Sequence, residues 1–232
     1  MHSTIQEIFS RSKENGRTAL LAPESEIVCA HYQIPTVEYR VASTIQEASK
    51  RAEELGFPVV IKIISPQIIH KTEAGGVMVG IRDQDDLRRS FEKVMSNARH
   101  YSPNADIIGV FIQRVVQPGI EVMVGALRDP QFGPSVSFGL GGIFTEIFKD
   151  VVFGIAPLDE AEAYRMIRSI KAYSLLTGYR NLPKADEKSI VDIILKTSKL
   201  ISENPEIDQI DFNPIVVTDK ESIVLDTRIF LR

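Results

Sequence analysis

Val59-Val60-Ile61-Lys62-Ile63-Ile64, followed by Ser65-Pro66-Gln67-Ile68-Ile69-His70-Lys71-Thr72-Glu73-Ala74-Gly75-Gly76 and then Val77 to Ile81, reads as strand, loop, strand. Lys62 stands mid-strand with apolar neighbours on both sides, and the period of two puts it on one face with Val60 and Ile64. A buried ammonium without a counter-charge is costly, so this lysine asks for a carboxylate or an anionic ligand. An edge strand whose amine reaches water explains a lone lysine equally simply. The loop ends in Lys-Thr-Glu-Ala-Gly-Gly, whose backbone can turn tightly and approach phosphate oxygens closely. It is not a Walker motif, and taken alone a flexible hairpin loop is the simpler reading of Gly75 and Gly76. Gly139-Leu140-Gly141-Gly142, after another strand, poses the same choice.

Outward from this stretch, helices and hairpins alternate without strict βαβ order. Ser43–Gly56 reads as a helix: Thr44 and Glu47 suit a capping box, Ile45, Ala48, Ala52 and Leu55 form the stripe, and Gly56 ends it. Asp83 to Ala98, with Leu87, Phe91, Val94, Met95 and Ala98 on one face, and Asp186 to Ser202, stopped by Asn204-Pro205, read likewise. Strand-like runs cover Ile107–Gln113, Glu121–Leu127 and Ser135–Phe138, and Ile215–Thr218 with Ser222–Leu225 flanks a polar turn. The expected class is α+β with two subdomains rather than a Rossmann fold. Residues 1–19 are polar and weakly periodic, so an N-terminal arm is expected there, with subdomains over 20–112 and 113–232.

Composition narrows the function classes. The chain has 232 residues, 44% hydrophobic and 25% charged, which excludes disordered, collagen-like and coiled-coil readings. Its 27 basic and 31 acidic residues give a net charge of −4 with no basic block, so no nucleic-acid partner is expected. No apolar run is long enough to span a bilayer, so no membrane association is expected. The N-terminus shows no secretory pattern and Cys29 is the single cysteine, which suits a cytoplasmic chain. Among four histidines, His2, His31 and His100 have no metal-ligand spacing, and His70 alone neighbours the glycine loop.

A second cluster lies near the C-terminus, in Asp211-Phe212-Asn213-Pro214 and Asp226. Residues 211 and 213 share a strand face, and a turn centred near residue 220 sets Asn213 about opposite Asp226. Two carboxylates and an amide oxygen make a hard-oxygen set suited to Mg²⁺ carrying nucleotide phosphates. A polar sheet face with an Asx turn is the alternative.

Taken in order, Leu55-Gly56-Phe57-Pro58-Val59-Val60-Ile61-Lys62, Ser65-Pro66 through Val77, Arg128-Asp129-Pro130-Gln131-Phe132-Gly133-Pro134, Phe138-Gly139-Leu140-Gly141-Gly142 and Asp211-Phe212-Asn213-Pro214 resemble the β subunits of ADP-forming acetyl-CoA synthetases. This NDP-forming acyl-CoA synthetase family has the ATP-grasp fold and is kin to succinyl-CoA synthetase; the resemblance covers residues 20 to 232. It implies two α/β subdomains enclosing a nucleotide cleft and an acid–thiol ligase reaction, acyl-CoA + ADP + phosphate ⇌ acid + CoA + ATP, passing through phosphohistidine. It implies ATP or ADP with Mg²⁺ as cofactors. A separate α subunit would carry the CoA and acyl sites, in an α2β2 heterotetramer. By this resemblance Lys62 would hold phosphates, Gly75 and Gly76 would belong to the phosphate loop, and Gln113, Val115 and Val116 to the adenine hinge. Glu121 would lie beside the nucleotide, Asn213 and Asp226 would bind Mg²⁺, and His70 would relay the phosphoryl group with Asp211 orienting it.

Two positions depart from the family pattern: Glu26 stands where lysine is common, and Gly154 where arginine is. An arginine missing from near the nucleotide would take a phosphate contact with it. Two other functions compete. A stand-alone ATP-grasp ligase forming an acyl-phosphate would leave His70 idle, and a non-catalytic nucleotide-sensing subunit would not need Lys62, Asn213 and Asp226 intact.

Overall fold

The computed structural model describes residues 2–142, 149–179 and 184–232. Their backbone divides into two compact units, one of residues 21–23 and 37–117, the other of residues 1–20, 24–36 and 118–232.

The smaller unit is a four-stranded antiparallel sheet in the order β1-β4-β2-β3, from β1 (Tyr39–Ala42), β2 (Val59–Ile64), β3 (Val77–Ile81) and β4 (Gly109–Arg114). Two helices, α3 (Ile45–Leu55) and α4 (Gln84–Tyr101), join these strands. The expected Thr44 cap is present, accepting from the Glu47 N–H, while Glu47 reaches back to the N–H of Ser43 rather than that of Thr44. Asp83 caps α4 in the same way by accepting from Asp86. Ala48, Ala52 and Leu55 of α3 and Leu87, Phe91, Val94 and Ala98 of α4 pack on Val59, Ile61, Ile63, Val110 and Ile112. That stripe of alternate strand residues is what fixes which face of β2 remains for Lys62.

The larger unit holds an antiparallel sheet in the order β10-β8-β5-β6-β7, with β9 also beside β8. Its strands are β5 (Ile120–Asp129), β6 (Gly133–Leu140), β7 (Val151–Ile155), β8 (Ile207–Val217), β9 (Ser222–Val224) and β10 (Thr227–Leu231). Helices α5 (Glu160–Ser169) and α6 (Glu187–Glu203) cover one face, burying Ala163, Ile167, Ile190, Ile194 and Leu200 against Val124, Val136, Phe138 and Phe212. Asn204 ends α6 as expected, its amide donating to Leu200 O at 2.8 Å and Tyr32 Oη at 2.7 Å.

The N-terminal segment differs from expectation. Residues 2–14 form α1 (His2–Glu14), and Ile5, Ile8 and Phe9 are buried in the larger unit's core. Three large apolar side chains at i, i+3 and i+4 suffice once a surface receives them. Helix α2 (Ala22–His31) follows, and its Val28 and Cys29 enter the same core. The chain touches the smaller unit at residues 21–23, rejoins the larger one for residues 24–36, where Thr36 bridges Val224, and then contributes residues 37–117 to the smaller unit.

Candidate active site

In the smaller unit, β2 turns Val60, Lys62 and Ile64 to the face opposite the helices. Lys62 pairs with Phe111 and Val60 with Gln113, so lysine and glutamine are diagonal neighbours on one face. Lys62 is only 8% exposed. Beside it Phe111 stacks on Tyr39, ring centres 4.6 Å apart. Gln113 is buried and its Oε1 has no hydrogen-bond partner among the described residues, an acceptor that a purine amino group would satisfy. The Val115 N–H is engaged by Pro58 O at 3.3 Å, so that donor is not offered to a base. Val116 is half-buried.

The glycine loop has a definite form. The Ala74 N–H donates to His70 O, Gly75 N–H to Thr72 O at 3.0 Å and Gly76 N–H to Lys71 O at 2.8 Å. With Gly75 at φ +61°, this is a helical turn closed by a Schellman motif. A Cβ on Gly75 would come 2.7 Å from Asn97 Nδ2, and one on Gly76 would come 2.6 Å from Ile63 Cγ2. These glycines therefore serve the turn and its close packing. In this conformation their N–H groups donate within the loop. Ile68 and Ala74 anchor the segment in the core, and the Asn97 amide donates to Gly75 O at 2.9 Å. At the start of the turn the His70 side chain is 61% exposed, with Nδ1 3.7 Å from Glu73 Oε1.

In the larger unit the hairpin register is uninterrupted. Ile215 faces Val224 and Phe212 faces Thr227, so Asn213 lies opposite Asp226, and the Asn213 N–H donates to Asp226 O at 3.3 Å. Asp211 faces Arg228 across the same pair of strands. The Arg228 guanidinium reaches both acids, Nε 3.3 Å from Asp226 Oδ2 and Nη1 3.8 Å from Asp211 Oδ2. Burial pushes the Asp211 carboxyl above the ordinary carboxylate range; Arg228 opposes the shift and Asp226 adds to it. Toward β6, Glu121 O accepts from the Gly141 N–H at 2.8 Å, which brings the Gly141-Gly142 turn against Glu121. A Cβ on Gly141 would come 3.1 Å from Glu121 Cβ.

No three His, Cys, Asp or Glu side chains converge to hold a metal among the described residues. Asn213 and Asp226 still suit Mg²⁺, which takes one or two protein oxygens and completes its shell with water and phosphate. The donor set is the right chemistry for an ion delivered with a nucleotide.

The structure thus gathers Lys62 with Gln113 in one unit, and Asp211, Asn213 and Asp226 in the other. His70 and Asp211 belong to different units, and within its own unit the partner of His70 is Glu73. Arg228 and Glu73 are the residues the sequence reading missed, though both had a signal. The register that set Asn213 opposite Asp226 sets Arg228 opposite Asp211, and the i,i+3 spacing links His70 to Glu73. The departure at Gly154 is also relocated. It lies in the core-facing row Gly154–Val136–Ala126–Ile210, whereas Asp211 shares a row with Gly125, Ser137 and Phe153. A Cβ there would come 2.8 Å from both Leu158 and Met166, so the position packs against α5 and not on the acidic face. Glu26 is buried and accepts from Thr227 Oγ1 at 3.0 Å, next to Asp226.

Residues 11–231 match the ATP-grasp domain family. The chain is 47% identical over 226 residues to the β subunit of acetate–CoA ligase (ADP-forming) I from Pyrococcus furiosus, covering 97% of each. Among solved structures it is similar to acetyl-coenzyme A synthetase 1 of Ca. Korarchaeum cryptofilum in two states. One, with coenzyme A, acetyl-coenzyme A and a phosphorylated phosphohistidine segment in the site I orientation, gives a TM-score of 0.91 at 42% identity. The other, with coenzyme A and Mg-AMPPCP and that segment pointing towards the nucleotide site, gives 0.86 at 40% identity. Each alignment covers 98% of this chain and 100% of the other. The chain that carries the glycine-closed turn, the Lys62 strand and the Asn213–Asp226 hairpin is thus an ATP-grasp chain, and it belongs to the β subunits of the ADP-forming acetate–CoA ligases.

Proposed function

We propose that this chain is the nucleotide-binding subunit of an ADP-forming acyl-CoA ligase and that His70 carries the phosphoryl group between acyl-phosphate chemistry and ADP. The carrying observation is His70 itself, an exposed imidazole on a preformed turn that is anchored before it by Ile68 and after it by Ala74 and Asn97. A stand-alone ligase would have no use for it.

In the forward direction the acyl group leaves as the free acid, and phosphate passes through His70 to ADP. Lys62, held on a desolvated strand face, neutralises phosphate charge where the low local dielectric makes that strong. Gln113 Oε1 accepts from the base, and Glu121 lies on the nucleotide side of the larger unit. Asn213 and Asp226 hold Mg²⁺, which supplies charge neutralisation on the phosphates. Asp211 orients the imidazole when His70 is at the nucleotide. An imidazole nitrogen is a competent phosphoryl acceptor, and a covalent intermediate divides one long transfer into shorter steps.

The relative's name as a β subunit supports a separate α subunit, and we assign to it the CoA and acyl sites in an α2β2 assembly. We assign the chain to the cytoplasm, a reading that a buried and free Cys29 supports; no helix among the described residues is long and apolar enough to cross a membrane.

Incubation of the αβ complex with Mg-ATP should leave an acid-labile, base-stable phosphate on the peptide containing His70. His70→Ala should abolish ATP synthesis while preserving Mg-ADP affinity. Wild-type turnover by that variant would end the relay reading.

A further inference from the structure

We propose that Arg228 is a phosphate-binding residue that grips the β-phosphate of a nucleoside diphosphate, beside the Mg²⁺ that Asn213 and Asp226 would hold. The inference rests on the metal-nucleotide reading of that hairpin and adds a cation to it. Thr227 and Ile229 are buried in the larger unit, so the period of two turns Arg228 to the opposite face of β10. On that face it heads the row Arg228–Asp211–Gly125–Ser137–Phe153, and among these described residues it is the one cation. The same pair of strands sets Asn213 opposite Asp226, so the guanidinium and the candidate metal ligands share one patch of sheet.

The guanidinium is held but not used up. Its Nε donates to Asp226 Oδ2 at 3.3 Å, while Nη1 stands 3.8 Å from Asp211 Oδ2, an ion pair too long for a hydrogen bond. An arginine carries five N–H donors in a planar fork, and here those on the two Nη atoms meet no hydrogen-bond acceptor among the described residues. The side chain is 27% exposed, so these donors keep access from the open face of the sheet. Two carboxylates therefore orient the fork while its amino groups remain for an oxyanion, the arrangement that recognises phosphate bidentately. Charge points the same way. An Mg²⁺ ion on Asn213 and Asp226 matches the negative charges of Asp211 and Asp226, which leaves the positive charge of Arg228 for phosphate oxygens. As a mere counter-ion of the two acids, Arg228 would compete with that ion for Asp226. A phosphate bound to the ion removes the conflict by giving the guanidinium an anion of its own.

The test titrates ADP and AMP into the full-length chain at saturating Mg²⁺, and Mg²⁺ alone in a separate run, all by calorimetry. Arg228→Met should weaken ADP binding by about 10–100-fold, the range for a hydrogen bond to a charged group, and leave AMP binding unchanged. Mg²⁺ alone should bind this variant at least as tightly as wild type, because a cation beside Asp226 is gone. Arg228→Lys keeps the charge and loses the fork, so it should lose several-fold in ADP affinity and still prefer ADP to AMP more than Arg228→Met does. A purely structural counter-ion would lower the melting temperature measured without Mg²⁺ and leave the preference for ADP over AMP where it was. Wild-type ADP affinity in Arg228→Met, or in Arg228→Lys where the methionine variant does not fold, would overturn the assignment. Wild-type Mg-ADP affinity in Asp226→Ala is a different failure: it would remove the metal-nucleotide reading, and this inference with it.

Discussion

His70 stands on a single exposed turn tied down by two buried side chains and one amide from α4. Asp211, Asn213 and Asp226 stand on a hairpin whose register runs unbroken from Val217 opposite Ser222 to Gln209 opposite Phe230. Beneath that hairpin Phe212, Ile210, Val224 and Ile229 are all buried. The first arrangement holds the turn in place while leaving the imidazole itself open to a reacting group. The second fits groups that must not move, since a cation bound with phosphate needs its oxygens held to within a fraction of an ångström.

That contrast can be broken first at its rigid end. Asp226→Ala should lower Mg-ADP affinity by tens- to thousands-fold, about 2–5 kcal/mol, because it removes one member of a partly desolvated charged contact. Calorimetric titration reads this directly. Affinity unchanged from wild type would show that the hairpin is only a polar sheet face.

The exposed turn yields a smaller effect. Gly75→Ala forces a β-carbon into a left-handed position and against Asn97, and should destabilise the smaller unit by about 1–2 kcal/mol. Chemical denaturation measures it, and adding Asn97→Ala should recover part of the loss because the two sites are coupled. Nucleotide affinity should hold steady, since the Gly75 N–H is already used by Thr72. A tenfold loss of affinity instead would restore the phosphate cradle and blur the distinction between the two regions.

Asp211→Asn should give the smallest change and the most diagnostic sign. Burial raises the folded-state pKa of Asp211 above its unfolded value, so the native chain binds this proton more tightly. The resulting stabilisation is fully present below the unfolded pKa of about 3.9 and is lost as pH rises through the higher folded value. At pH 7 the charged, buried carboxylate is therefore a cost that asparagine removes. Thermal melts should show a modestly higher Tm for the variant at pH 7, with the gap closing toward pH 4. A lower Tm at pH 7 would mean that the Arg228 contact outweighs desolvation.

Much of this was legible in the sequence wherever local rules suffice. Strands Val59–Ile64 and Val77–Ile81 have the expected bounds, and α3, α4 and α6 lie where periodicity and caps placed them. The Asn213–Asp226 hairpin was readable because an antiparallel register follows from counting outward from its turn. Helix α5 was missed although Asp159 and Glu162 form a complete capping box ahead of its stripe Ala163, Met166 and Ile167. Helix α1 was missed because its three buried residues lie among polar ones, and only the surface that receives them makes the pattern meaningful. Gly75 and Gly76 were visible as glycines, but whether their N–H groups faced a ligand or their own turn was not.

The sequence by itself determined the alternation of faces, the caps, the hairpin register and the ordered motifs that mark an ATP-grasp chain. Each depends on residues close in the chain or on a pattern held along its length. Only the tertiary structure decided that residues 24–36 pack with residues 118–232, that Gly154 lies under α5, and that Arg228 is shared between two acids. Those outcomes depend on which distant surface wins a segment's apolar side chains, and on how a guanidinium divides itself between neighbouring carboxylates. Burial and electrostatics set both, and neither is defined until the chain has folded.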